Sequence, residues 1–380
     1  MRVRDICVGI ADGSHNPPQG IEMSDYLMLS SKNIFDDEIT FDNPRYLAQS
    51  DFEQEDRRTK VMAGNVLLTI VGTVGRAAVV DEKMPRFTLQ RSVAVLKPKD
   101  DVCNSRYLMY ALQGKRTYIE NSAKGVAQKG IYLNEVSNID LRIPALYEQE
   151  SIVILLDKIT AVTRSYQKQI QKLDELVKSR FVELFKACKD YKRLEEHAAL
   201  ITKGASPKWQ GVDYCEKGTL FVTSENVREC YLDLSKRKYL DDKINEIQPR
   251  SILKRNDILI NIVGASIGRA AVYDCDELAN INQAVALVRV DFSRINQTYL
   301  MTFLNSQQAI EMYGKMKKGG ARDNLSLQNI ADLKIPVAPM ERQKEFAAFV
   351  SEVDKSKLAV KQSLEKLETL KKSLMQQYFG

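Results

Sequence analysis

The chain has 380 residues, 44% hydrophobic and 28% charged, with 56 basic and 50 acidic side chains and a formal net charge of +6. This is the balance of an ordinary folded protein long enough for two or three cores, which argues against wholesale disorder. With no run of roughly 18 apolar residues it has no candidate membrane-spanning helix, and the small positive surplus permits a polyanionic partner without demanding one.

In chain order, the N-terminal MRVRDICVGIADGSH has neither a sustained apolar core nor a small-residue cleavage site, so a cytoplasmic location is expected. Short β-branched runs follow, VLLTIVG, RAAVV and SVAVLK, punctuated by Gly, Pro, Asn and Asp. They predict strands of a compact, β-rich α+β domain over residues 1–146, with one helix around Ser105–Gln113. Beyond Pro144 the pattern changes. Ile152, Leu155, Ile159, Val162, Tyr166, Ile170, Leu173, Val177, Phe181 and Leu184 recur in steps of three and four, which predicts a long helix over 147–186.

The pattern then starts again. Leu67–Gly72 returns as Leu259–Gly264, an offset of 192, and Gly75-Arg76-Ala77-Ala78-Val79 returns as Gly268-Arg269-Ala270-Ala271-Val272, an offset of 193. Ile10–Ser14 pairs with Ile201–Ala205, Ser31–Ile34 with Ser224–Val227, Leu141–Pro144 with Leu333–Pro336, and Lys172–Leu176 with Lys366–Leu370. A duplication of half the chain explains all of these. The second copy predicts an α+β domain over 187–339, with a helix around Gln297–Gln307, and a second long helix over 340–380. The stripe of that helix runs through Phe346, Val350, Val353, Val360, Leu364, Leu367, Leu370, Leu374 and Tyr378. Lys357 interrupts it, as a polar residue that sets register would. Each helix of roughly 38 residues would be about 57 Å long and needs a partner for its stripe. Two related units joined head to tail pack most readily about a pseudo-two-fold axis, which predicts an antiparallel coiled coil.

Catalytic signatures are missing. Gly72-Thr73-Val74-Gly75-Arg76 matches neither a phosphate-binding loop nor a dinucleotide fingerprint, and the copy Gly264–Gly268 changes the glycine spacing, so a tight turn between core strands is the better reading. His15-Asn16-Pro17-Pro18-Gln19 approaches the Asn-Pro-Pro-aromatic signature of adenine methyltransferases, but Gln19 replaces the ring that would stack on a flipped base. Two histidines, His15 and His197, and six scattered cysteines without a C-x-x-C pair give no metal site, and the thiols are expected to be reduced and mostly buried. No G-x-S-x-G elbow is present, so no catalytic residue is assigned.

What remains is binding. Basic residues gather in both globular segments: Arg57, Arg58, Lys60, Lys115, Arg116, Lys124 and Lys129 in the first, and Lys236, Arg237, Lys238, Lys254, Arg255, Lys315, Lys317, Lys318 and Arg322 in the second. Lys124–Gly130 and Lys317–Arg322 are Gly-rich and lie at matching positions, as cationic loops approaching a phosphate backbone would.

The Ile-x-Asp-Gly-Ser-His opening, the Ile-Thr-Lys-Gly-x-x-Pro-Lys-Trp opening of the second copy, the Ile-Val-Gly strand, and Ile-Pro followed by Glu148-Gln149 or Glu341-Arg342-Gln343 together resemble the specificity subunit of a Type I restriction-modification enzyme. The resemblance covers essentially the whole chain. It implies two target recognition domains separated by two helices that set the gap in a bipartite, asymmetric site on double-stranded DNA. It also implies two modification subunits carrying S-adenosylmethionine, and restriction subunits using ATP and Mg2+, with no cofactor in this chain. Residues near His15, Arg91 and Gln128, and near Lys208, Gln283 and Arg322, would set sequence choice, with Lys203 as a further DNA contact. Arg76 and Arg269, at equivalent places, suit a shared structural or phosphate role. Trp209, the only tryptophan, is expected to pack rather than to stack on a base. The rival readings are a methyltransferase or nuclease acting alone, and a coiled-coil adaptor that never touches DNA.

Overall fold

The computed structural model describes residues 1–125, 129–316 and 324–380. The chain divides into two units, Met1–Gln167 with Gln362–Gly380, and Lys168–Lys361. Two 40-residue helices, Leu146–Phe185 and Met340–Phe379, each contribute residues to both units.

The first unit is organised by a four-stranded antiparallel sheet in the order Cys7–Asp12, Val93–Pro98, Val66–Thr69, Ala77–Val79. Its central strands are apolar on both faces because both faces are covered. Val66 and Leu68 point into a cluster with Tyr107, Leu108 and Leu112 of the helix Ser105–Gly114. Leu67, Val93 and Val95 point the other way, onto Leu29, Phe87 and Leu89. Those residues belong to a second, smaller sheet in which Leu27–Leu29 runs parallel to Phe87–Leu89. A strand with two buried faces loses the alternation of polar and apolar residues, hence the continuous VLLTIVG run.

The second unit repeats this plan. Ala198–Lys203, Val285–Val290, Ile258–Asn261 and Ala270–Val272 form the same antiparallel order, and Thr219–Val222 runs parallel to Ala279–Ile281. Even the irregularity is copied: the first strand of each sheet shifts register by one residue, at Cys7–Gly9 and at Ala198–Leu200. Where one helix was expected in each copy there are two in succession, Ser105–Gly114 then Arg116–Ser122, and Gln297–Leu304 then Gln307–Met316. The second of each pair places few buried residues, Ile119 in one and Ala309 and Tyr313 in the other, too weak a stripe to read from sequence. A further helix, Gln49–Thr59, buries only Phe52 and Thr59 and was missed for the same reason.

The entry to each long helix explains the Gln of the closing motif. Gln149 is buried; its Oε1 accepts from the Asn104 backbone N–H (2.9 Å), and its Nε2 donates to the Val102 and Pro144 carbonyls (2.9 and 2.8 Å). Gln343 does the same in the second unit, accepting from Asn296 (2.8 Å) and donating to Ala338 (2.7 Å). Within the first unit, Phe379 of the second long helix meets Tyr107 edge-on (5.3 Å), and Lys371 donates to Thr160 of the first long helix (3.0 Å). Within the second unit, Phe346 packs against Phe181 and Phe185 (5.4 and 5.6 Å). There Lys357, only 16% exposed, pairs with Asp174 at 2.5 Å.

The glycine pairs act as hairpin turns. Gly72 and Gly75 connect Val66–Thr69 to Ala77–Val79 with φ of +82° and +90°, and Gly264 and Gly268 repeat this at +83° and +88° despite the inserted residue. A Cβ on Gly264 would meet nothing within 4 Å, whereas one on Gly268 would run into the buried Tyr313 ring. Gly264→Ala should therefore lose only the left-handed conformational preference, about 1 kcal/mol, while Gly268→Ala adds a steric clash and should lose at least twice that. Urea denaturation of the two variants checks this; equal losses would show that the Tyr313 contact relaxes freely.

Candidate nucleic-acid interface

In the first unit four loops meet at one end of the central sheet, joined by backbone hydrogen bonds. Gly13 is pressed against the Leu89 carbonyl so closely that any Cβ would overlap it. Ser14 donates to Leu89 (2.8 Å), and the Arg91 N–H returns to Ser14 (2.9 Å). Ser92 accepts from Ile70 and Val71, and Gly72 donates to the Lys129 carbonyl (3.0 Å). His15, Arg91 and Lys129 therefore share one edge, and all three side chains reach solvent. Gln128, expected to join them, lies outside the described residues.

This edge contains an anchor that the charge count alone did not single out. Asp12, whose side chain is 9% exposed, accepts from His15 Nε2 (2.7 Å) and from the Arg58 guanidinium, and its carbonyl accepts from Arg58 Nε (3.0 Å). The three-residue spacing in Asp12-Gly13-Ser14-His15 is the signal that could have found it.

The second unit builds an equivalent edge. Gly204 is locked against the Ile281 carbonyl, Asn282 donates to Val222 (3.1 Å), and Leu325 donates to Ile262 (2.9 Å). Lys203 stands at the end of its strand and Gln283 in the turn between Ala279–Ile281 and Val285–Val290; both are exposed. Lys317, Lys318 and Arg322 lie outside the described residues.

The remaining basic candidates divide by whether they already have a partner. Arg58 is held by Asp12, Lys124 by Glu135 (3.0 Å), Arg237 by Glu277 (2.6 Å) and Lys238 by Glu225 (2.9 Å). The hydrogen bond from Lys238 keeps Glu225 below the usual carboxylate range, and Lys124 does the same to Glu135. Arg57, Lys60, Lys129, Lys203, Lys208, Lys236 and Arg269 are exposed, with no ion pair among the described residues. Arg57 and Lys60 lie at the end of the helix Gln49–Thr59, beside Arg58. Arg76 and Arg269 share the hairpin backbone, since each carbonyl accepts from the facing strand (Thr69 and Asn261, both 2.9 Å). Their side chains differ: Arg76 lies over the Phe35 ring at 4.8 Å, and Arg228 occupies the matching position in the second copy.

Two expectations are corrected. Trp209 does not pack: it is 88% exposed. The one-turn helix Pro207–Gln210 buries Pro207, and a residue two positions on faces away from that contact. Nor are the thiols mostly buried. Only Cys7 and Cys103 are, with pKa values pushed up to about 12 by desolvation; Cys215 and Cys230 are exposed at an edge strand and a loop tip. Among the described residues no group of His, Cys, Asp and Glu is arranged to hold a metal, and no helix is long and apolar enough to cross a membrane.

Comparison with known proteins shows the family. The family model described as "Type I restriction modification DNA specificity domain" matches twice, over residues 29–175 and 192–370. The chain belongs to this Type I specificity family. It is 23% identical over 308 residues to the Type I restriction enzyme MjaVIII specificity subunit of Methanocaldococcus jannaschii, covering 76% of this chain and 72% of that one. It is 24% identical over 325 residues to the EcoBI specificity subunit of Escherichia coli, covering 77% and 68%. The crystal structure of the Type I S subunit from M. genitalium shares the fold, with a TM-score of 0.57 at 14% identity over 100% of this chain and 95% of that one. A specificity subunit recognises DNA sequence and is itself non-catalytic.

The partnered and unpartnered cations of this specificity subunit should behave differently. Lys129→Ala and Lys208→Ala should each reduce the slope of log affinity against log salt by about 0.9, the release of one counterion from a phosphate. Arg58→Ala should instead lower the melting temperature, because it leaves the buried Asp12 carboxylate without its guanidinium. Filter binding across a salt series, with thermal melts of the same variants, separates the two roles. Because Trp209 is the only tryptophan, intrinsic fluorescence of the full chain reports it alone. Protection from acrylamide quenching on adding cognate duplex would place it at the DNA; unchanged quenching would place it elsewhere.

Proposed function

We propose that the chain reads a bipartite, asymmetric target on double-stranded DNA, one half with each loop edge. The observation that carries this reading is a duplicated scaffold with unlike side chains on it. The sheet, the bulge, the glycine turns and the buried Gln recur in both units. Yet Asp12, His15 and Arg91 stand where the second copy has Lys203, Ser206 and Gln283. Two heads built alike and equipped differently suit two different half-sites.

The two long helices are proposed to form an antiparallel coiled coil. In the first unit the start of one helix meets the end of the other, through Thr160–Lys371, and in the second unit the reverse holds, through Phe181–Phe346. That pair would fix the unread gap between half-sites and dock two modification subunits. S-adenosylmethionine would belong to those subunits, and ATP and Mg2+ to restriction subunits that complete the enzyme. A cytoplasmic location follows from that role.

A genome-wide map of N6-methyladenine with and without the gene tests the reading. One split, asymmetric motif should lose methylation when the gene is deleted. No change in the presence of expressed partner subunits would favour an adaptor without DNA readout. A second experiment addresses the ruler. Inserting seven residues in register into both helices lengthens each by about 10.5 Å. That is close to three base pairs at about 3.4 Å each. The methylated motif should keep both half-sites and gain about three unread positions; an unchanged gap would remove the helices from that role.

A further inference from the structure

We infer that His15 reads the DNA half-site as a hydrogen-bond acceptor, through Nδ1, and that Asp12 is the residue that imposes this. The inference rests on the proposed reading of DNA by the first loop edge.

The imidazole is oriented at one nitrogen and open at the other. Its Nε2 lies 2.7 Å from Asp12 Oδ2, while Arg58 donates to Oδ1 of the same carboxylate and to the Asp12 carbonyl. With Arg58 in place, the carboxylate can only accept from the ring, so the neutral imidazole carries its proton on Nε2 and its lone pair on Nδ1. Nδ1 has no hydrogen-bond partner among the described residues, and the side chain is 54% exposed.

The mounting is rigid. Asp12 is buried, Gly13 is wedged against the Leu89 carbonyl, and Ser14 is bonded to Leu89 and Arg91. An outward acceptor on a fixed backbone cannot pair with a phosphate, which offers only acceptors. Its complement in the major groove is an exocyclic amino group, adenine N6 or cytosine N4. The second unit has Lys203 and Ser206 at these positions, so this readout belongs to one half-site only.

The test uses the full chain assembled with its modification subunits and a duplex carrying the motif from the methylation map. Each adenine of the half-site is replaced in turn by purine, and each cytosine by 2-pyrimidinone, deleting one amino group at a time. At one position the deletion should weaken binding by the native chain about ten- to a hundredfold, yet cost nothing further in His15→Ala. Asp12→Asn, with its fold checked by thermal melting, should change the preferred base at that position alone. Its amide N–H would donate to Nε2 and move the ring proton to Nδ1.

Coupling of His15→Ala to 7-deazapurine instead would make the ring a donor and overturn the inference. So would a uniform loss on all sequences with a smaller salt slope, which marks a phosphate contact, or an absence of coupling at every position. If the native chain binds cognate and scrambled duplexes equally, it is the proposed reading itself that fails.

Discussion

The rest of the structure depends on a strand that is buried on both faces. Leu67 faces one apolar cluster while Val66 and Leu68 face another, and Leu259 stands in the same relation to Ile258 and Ile260. Such a strand has no surface on which to vary, and the neighbours that hydrogen-bond to it have little. Sequence freedom is thereby confined to the loops at the ends of the sheet. The backbone bonds from Ile70, Val71 and Gly72 to Ser92 and Lys129 gather those loops into one edge. A protein that must present new side chains without losing its fold gains most from this division.

The same constraint explains which residues the two copies share. Gly13 and Gly204 are kept because a carbonyl occupies the place of a Cβ, Gly75 and Gly268 because φ is near +90°. Gln149 and Gln343 are kept because each satisfies buried backbone groups where a long helix begins. These motif residues carry the architecture rather than the readout. In the proposed function the readout falls to the positions that differ, such as Arg91 against Gln283.

The large periodicities were legible in the sequence, and the site only in part. The heptad-like stripes predicted both long helices, and the offset of the Ile-Val-Gly runs predicted the duplicated sheet, because burial of many residues at a fixed spacing leaves a strong signal. Gln49–Thr59 left almost none, since it packs by Phe52 and Thr59 alone. Charge clusters proved an ambiguous guide. Lys236, Arg237 and Lys238 read alike in sequence, yet Arg237 and Lys238 already hold Glu277 and Glu225. Such partners are distant in the chain, and composition cannot show them. Trp209 was misread because a large aromatic residue is usually buried, a tendency that a one-turn helix with a single inward face cannot meet.

The proposed coiled coil also needs a single register, and an apolar stripe that repeats every seven residues does not choose among shifts of seven. Polar residues inside the stripe do. In the second unit, Lys357 at a stripe position finds Asp174 at 2.5 Å; any shift would leave a largely buried ammonium without that carboxylate. In the first unit, Lys371 reaches Thr160 and lies over the Tyr110 ring at 5.7 Å, with burial pulling its pKa down. Each unit thus holds its own register lock, made of different residues. The proposed role as a ruler would need this: packing sets how tightly helices associate, but only polar contacts set how far along each other they sit.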